Sequence, residues 1–251
     1  MIWFLILFYF CFELQADMVD IPSGSYKLFF KENLNQENKS ISIHSFYLDK
    51  KLVTKLEYLE FLNVNPKWKK EKVSKLFADA GYLSDWKSSE NSKIEFTNPD
   101  SPVTNVSWFA AKAYCEWKNK RLPKESEWEY AANFNYPDKG SAEKIIMNWY
   151  AEKKPEILPP VGQFKNSLGV YDLHGLVWEW VYDFNNTSVT GDSRQDSDLE
   201  KNLFCGGGAI RASNFNNYAT FMRYGYRAGL KGWYTAKYLG FRCAKDKEKG
   251  K

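Results

Sequence analysis

The segment Lys120-Arg-Leu-Pro-Lys-Glu-Ser-Glu-Trp-Glu-Tyr130 decides how the rest of this chain is read. The residues following Pro123 predict a helix over about 124–133 that carries Trp128, Ala131 and Ala132. Just upstream, Ser107-Trp-Phe-Ala-Ala-Lys-Ala-Tyr-Cys-Glu-Trp-Lys118 predicts another helix with Ser107 as its N-cap. Trp108, Ala111, Tyr114 and Cys115 fall on one face of it at three- and four-residue spacing, which turns Cys115 inward. Further back, Thr54-Lys-Leu-Glu57 fits a capping box that opens a third helix, with Leu56, Leu59, Phe61 and Leu62 as its apolar candidates. The alternation around Ile41-Ser-Ile-His-Ser-Phe-Tyr-Leu48 predicts a strand over 41–48. Segment 67–102 is polar with isolated aromatics and reads as a loop over the surface. Beyond Phe134 the chain reads as short aromatic strands and turns, with no internal repeat or heptad.

Ten Trp, sixteen Tyr and eighteen Phe in 251 residues are an unusual aromatic load. One flat ring covers several loop segments, so this composition suits a core sealed largely by irregular backbone. The fold class expected is α+β, a single loop-rich domain with few helices and short antiparallel strands. The net charge is +4, from 35 basic and 31 acidic residues, too balanced for a nucleic-acid binder. The basic run over 67–75 reads as a solvated face, and 247–251 as a charged tail.

Residues 1–16, MIWFLILFYFCFELQA, are apolar up to Phe12 and close on Ala16 before an abrupt polar change. A stretch this short reads as a secretory signal peptide, with an uncleaved membrane anchor as the alternative. The expected location is therefore secreted or periplasmic, with membrane association only if the segment stays uncleaved. Beyond it lie Cys115, Cys205 and Cys243. An odd count in an oxidising compartment implies one bridge and one free thiol, and spacing does not say which two pair.

Several segments in series resemble the sulfatase-modifying-factor family, which contains the formylglycine-generating enzymes. They include Met18-Val-Asp-Ile-Pro-Ser-Gly24, Pro102-Val-Thr-Asn-Val-Ser-Trp108, Ala113-Tyr-Cys-Glu-Trp117, the Lys120–Tyr130 segment above, Asn148-Trp149, Tyr171-Asp-Leu-His-Gly-Leu-Val-Trp-Glu-Trp180, Gly206-Gly207 and Leu239-Gly-Phe-Arg-Cys243. Order and approximate spacing match over 17–246, the expected extent of the domain. The resemblance implies a variant of the C-type lectin fold and a Cys115–Cys243 bridge. A finer likeness, carried by Asp172–Trp180, Asp183-Phe-Asn185, Phe204-Cys-Gly206 and Phe221-Met-Arg-Tyr224, is to a branch associated with copper nitrite reductases.

The resemblance also sharpens what is missing. Formylglycine-generating enzymes hold Cu(I) between two cysteines shortly after the Gly-Gly turn, because paired soft thiolates select monovalent copper. Here 209–224 contains no cysteine, so the standard oxidation of a substrate cysteine is not expected. Cys205 is the one remaining candidate for catalysis, either as a redox thiol or as a copper ligand with His174 and Met222. The bland alternative is a buried free thiol beside close-packed glycines. His174 reads as a backbone-bonded imidazole before it reads as a ligand, and His44 as structural. Calcium is the first metal to consider and copper the second. The resemblance points to Asn148 and Glu179 as calcium ligands, although Leu176 stands where relatives commonly carry an Asn. Arg223, Arg227 and Arg242 pair by default with Glu127, Glu129 or Glu179. The sharper alternative is a groove for an acidic or peptide ligand. Three functions remain: a non-catalytic accessory or binding protein serving an exported copper enzyme such as nitrite reductase or its peptide segment, an altered oxidase using Cys205, and a lectin-like peptide or sugar module.

Overall fold

The computed structural model describes residues 17–27, 40–88, 94–137, 142–184, 226 and 229–247. Strand β1 (Met18–Ile21) pairs antiparallel with β4 (Phe46–Asp49), Met18 facing Asp49. The free edge of β4 takes β9 (Ala244–Asp246), so the two ends of the domain close in one sheet of order β1-β4-β9. Strands β2 (Gly24–Lys27) and β3 (Ser40–Ile43) form a separate antiparallel pair.

The strand expected over 41–48 is thus two strands in two sheets. Ile43 is buried on an odd position, whereas Phe46 and Leu48 are buried on even ones. A period-two pattern cannot change parity without a break, and exposed His44 and half-buried Ser45 supply it.

Helix α1 (Lys55–Val64) begins as the capping box predicts. The Glu57 backbone N–H donates to Thr54 Oγ1 at 3.2 Å, and the Thr54 N–H donates to Glu57 Oε2 at 2.8 Å. Its buried face is Lys55, Tyr58, Phe61 and Leu62, and Leu56 is 47% exposed. The face is rotated from the expected one because Lys55 has an internal partner, Asp85 Oδ2, at 2.6 Å. Helix α2 (Trp108–Trp117) buries Ala110, Ala111, Tyr114 and Cys115, with Ser107 accepting the Ala110 N–H at 3.2 Å. It stops on Asn119, whose φ is +55°. The Asn119 N–H then reaches the Glu116 carbonyl at 3.0 Å and the Lys120 N–H the Cys115 carbonyl at 2.8 Å. This paired closure satisfies carbonyls that a helix end leaves orphaned.

Helix α3 (Glu125–Ala132) lies within the predicted 124–133 and buries Trp128, Ala131 and Ala132. Its first N–H, on Glu125, donates to Asp183 Oδ1 at 2.7 Å, an acceptor 58 residues away. Helix α4 (Ala142–Ala151) was not expected from the sequence. Ile145 and Ile146 are buried and Trp149 half-buried. That i, i+1, i+4 spacing is helical rather than alternating. Packing holds the helix in place: Ile145 sits against Gly175, and Trp149 Nε1 donates to the Leu176 carbonyl at 3.3 Å.

Segment 67–102 is not a surface loop. Trp68, Tyr82, Leu83 and Trp86 are buried in the main core, and β5 (Lys87–Ser88) pairs with β6 (Ile94–Glu95). Tyr82 donates to the Trp68 carbonyl at 2.9 Å, and its hydroxyl meets that of Tyr58 at 2.7 Å. The Tyr58 ring in turn contacts Phe61, Trp86, Tyr114 and Phe241. Single rings, not a periodic stripe, plug the core here, so no pattern announces them.

Strands β7 (Trp178–Glu179) and β8 (Leu239–Gly240) pair in parallel, the exception among the described strand pairs. Gly240 lies so close to the Val103 carbonyl that an added Cβ would stand 2.8 Å from its oxygen. Replacing Gly240 with alanine should therefore destabilise the fold by roughly 1–3 kcal/mol, the usual penalty for overpacking. A urea midpoint equal to that of the parent would refute this account of the contact.

Candidate functional site

The β7–β8 pair sets Glu179 opposite Gly240, and Arg242 follows two residues later. Arg242 is fully buried and Glu179 is 2% exposed. They meet as a fork, Nε to Oε2 at 2.7 Å and Nη2 to Oε1 at 2.8 Å. The rest of the guanidinium is used as well. Nη2 donates to the Tyr171 carbonyl at 2.8 Å, and Nη1 lies 3.3 Å from the carbonyls of both Asp49 and Lys50. Burial disfavours the guanidinium charge, but Glu179, through its charge and hydrogen bonds, more than offsets this and holds the group above its ordinary value.

Arg242 thus belongs to a structural pair, and the ligand-groove alternative does not apply to it. Of Glu127, Glu129 and Glu179, the last is its partner. Glu127 is held instead by Arg121, at 2.7 and 2.8 Å, and the Tyr26 hydroxyl reaches Glu129 at 3.5 Å.

The same fork removes Glu179 from the calcium set, since each carboxylate oxygen already faces a guanidinium nitrogen. Leu176 is 4% exposed and packs with Leu52, Leu158 and Val177. Where a cation would need oxygen donors, this chain places hydrocarbon. Asn148 lies exposed on α4. Glu179 and Leu176 therefore do not fit a calcium ion. Among the described residues no group of three or more His, Cys, Asp or Glu side chains is arranged to hold a metal.

His174 is 6% exposed. Its Nε2 lies 3.2 Å from the Ala132 carbonyl at the end of α3, and its ring meets Trp128 edge-on with centroids 5.6 Å apart. This is the backbone-bonded imidazole of the bland reading. Beside it, Asp172 is fully buried at φ +56° and accepts the N–H groups of Gly162, Gln163 and Phe164, the last two at 2.8 Å. Asp172 organises the approach to β7, a role that residue type and spacing alone did not reveal.

Cys115 and Cys243 form a disulfide, both fully buried, between α2 and the end of the β8 segment. Asp49 braces it. Its Oδ2 accepts the Cys243 N–H at 2.9 Å, its backbone N–H donates to the Cys243 carbonyl at 2.9 Å, and Lys120 meets its Oδ1 at 2.6 Å. Burial pushes the Asp49 carboxyl up, against the opposing pull of Lys120 and the Cys243 amide. Cys205, Met222, Arg223 and Arg227 lie outside the described residues.

An aromatic wall that no local pattern announces flanks β7. Trp178 meets Trp149 edge-on at 5.3 Å and stacks on Tyr226 at 4.9 Å. Burial raises the Tyr226 hydroxyl to about 12. The Lys154 ammonium sits 3.6 Å above the Trp149 ring, and its pKa is lowered by burial. The motif residues Trp149 and Trp178 were visible, but their mutual contact spans 29 residues of chain and has no periodic signature.

The profile of the family described as sulfatase-modifying factor enzyme 1-like domain matches residues 11–247. Formylglycine-generating enzyme of Bos taurus is 25% identical over 287 aligned residues, covering 91% of this chain and 74% of that protein. Inactive C-alpha-formylglycine-generating enzyme 2 of the same organism is 34% identical over 169 residues, 61% of this chain and 51% of its own length. Serine/threonine-protein kinase pkn1 of Chlamydia caviae is 27% identical over 243 residues, which are 92% of this chain but 38% of the kinase. The chain therefore spans little more than a third of the length of that relative. Among solved structures, PvdO from Pseudomonas aeruginosa superposes with a TM-score of 0.51 at 19% identity, covering 91% of this chain and 94% of that one. Treponema denticola variable protein 1 does so with a TM-score of 0.52 at 17% identity, covering 92% and 95%. These two show a shared fold. With a family profile that runs almost from end to end and a fold of few helices and short strands around it, this chain belongs to the sulfatase-modifying factor enzyme 1-like domain family, the formylglycine-generating-enzyme-like form of the C-type lectin fold.

Proposed function

We propose that this chain is an exported, non-catalytic accessory or binding protein on the formylglycine-generating-enzyme scaffold. The cysteine inventory carries the reading. The chain has four cysteines: Cys11, Cys115, Cys205 and Cys243. The bridge takes Cys115 and Cys243. Cys205 is then the one thiol left to the domain beyond the apolar N-terminal segment, and a two-thiolate Cu(I) site needs two. A relative whose printed name calls it inactive supports the view that the scaffold serves without that chemistry. The partner proposed is an exported copper enzyme such as a nitrite reductase, or a peptide segment of one. The likeness of Asp172–Trp180 and Phe221–Tyr224 to the branch associated with those enzymes supports it.

The competing reading is an altered oxidase that uses Cys205. His174 Nε2 is not open to a metal on this reading, because it already faces the Ala132 carbonyl at 3.2 Å. Anaerobic Cu(I) titration of the parent and of Cys205→Ser separates the two. The accessory reading expects equal, weak binding and no aldehyde formed from a cysteine-containing sulfatase peptide. Turnover of that peptide, abolished by Cys205→Ser, would reverse the assignment.

A further inference from the structure

Two turns meet on one face of the domain. In the first, Lys72 and Val73 N–H groups donate to the Lys69 carbonyl at 2.8 and 2.9 Å, and those of Phe77 and Ala78 to the Ser74 carbonyl at 2.8 and 3.1 Å. This geometry leaves Leu76 77% and Phe77 44% exposed at the tip. In the second, the Tyr234 N–H closes on the Lys231 carbonyl at 2.9 Å, leaving Trp233 41% and Tyr234 36% exposed. Asp79 locks the turns together. Its N–H donates to the Trp233 carbonyl at 2.9 Å, and its carboxylate accepts the Thr235 hydroxyl at 2.5 Å and the Thr235 N–H at 3.2 Å. Phe109 fills the seam, its ring 5.4 Å from that of Phe77 and its edge against Gly232. The face is therefore preformed.

Its charge is one-sided. Stretches 67–79 and 229–238 together hold seven lysines and two acids, Glu71 and the inward-bonded Asp79, whereas the whole chain is only +4. Protein–protein interfaces are depleted in lysine and enriched in arginine. Here an apolar tip, a Trp-Tyr pair and a surround of lysines coincide, with Lys231 lying 5.4 and 5.8 Å from the two ring centroids. Trp and Tyr settle at the headgroup level of a bilayer, lysines at its phosphates, and aliphatic or Phe side chains below. We propose that this face docks the domain on an anionic lipid surface, with Leu76 and Phe77 inserted and the lysines on headgroup phosphates. The proposal is independent of the accessory reading above.

The apolar 1–16 segment is itself able to partition into a bilayer, so the test must be local. Hydrogen exchange of the full chain, read by mass spectrometry, would be compared with vesicles of phosphatidylcholine alone and with about one-third phosphatidylglycerol. The expected result is slowed exchange in 69–79 and 231–235 on anionic vesicles only. Lys67→Gln/Lys72→Gln/Lys75→Gln should weaken that protection about a hundredfold in lipid concentration, from the usual attraction per lysine. Leu76→Ser/Phe77→Ser should abolish it while far-UV circular dichroism stays unchanged. Absence of protection on anionic vesicles overturns the proposal. So does equal protection by soluble polyglutamate that survives Leu76→Ser/Phe77→Ser, which would mark an acidic protein partner instead.

Discussion

Replacing Arg242 with methionine should lower the unfolding free energy by about 3–5 kcal/mol, the range seen when one member of a buried ion pair is removed. The side chain is fully buried, and its loss leaves the Glu179 carboxylate, 2% exposed, without a counter-charge. It also strips the Tyr171 carbonyl of a donor at 2.8 Å. Methionine matches the stem in length and flexibility, so the cavity contribution stays small. The companion variant Arg242→Met/Glu179→Leu should recover much of the loss, because an apolar pair of similar volume often replaces a buried salt bridge at little cost. Urea denaturation of both variants measures the two numbers. A loss below about 1 kcal/mol for the single variant would mean that water reaches the pair, contrary to its burial.

Removing both bridge cysteines, as Cys115→Ala/Cys243→Ala, should cost about 4–5 kcal/mol through the loop-closure relation. The bridge spans a separation of 128 residues. It also anchors α2 to the segment that carries Arg242, so the two perturbations should not add: residues that share one junction couple. Thermal unfolding of the parent with and without reductant, with free thiols counted by alkylation, gives the independent check. An unchanged midpoint in a fully reduced sample would show that packing around Cys115 and Cys243 suffices without the covalent link.

The parts of the fold legible in the sequence are those decided within one or two helical turns. Thr54 with Glu57 and Ser107 with Ala110 bring their own acceptors to nearby N–H groups, so helix starts are local events. The face of α1 was not legible, because Lys55 is drawn inward by Asp85, 30 residues on. The split of 41–48 was hidden for a related reason. The alternation looks continuous, and only the two different sheets reveal the parity change between Ile43 and Phe46.

For the candidate site, the sequence by itself determined what chemistry is missing. Thiolates cannot be contributed by folding, so a domain with one spare cysteine has no two-thiolate copper site whatever its shape. Tertiary structure alone decided the fate of Glu179, Leu176 and His174. A carboxylate reads the same in a chain whether it faces a cation or an arginine, and its partner lies 63 residues away across a parallel strand pair. Composition is set residue by residue. Who meets whom is set by long-range closure of the chain, which local pattern does not encode.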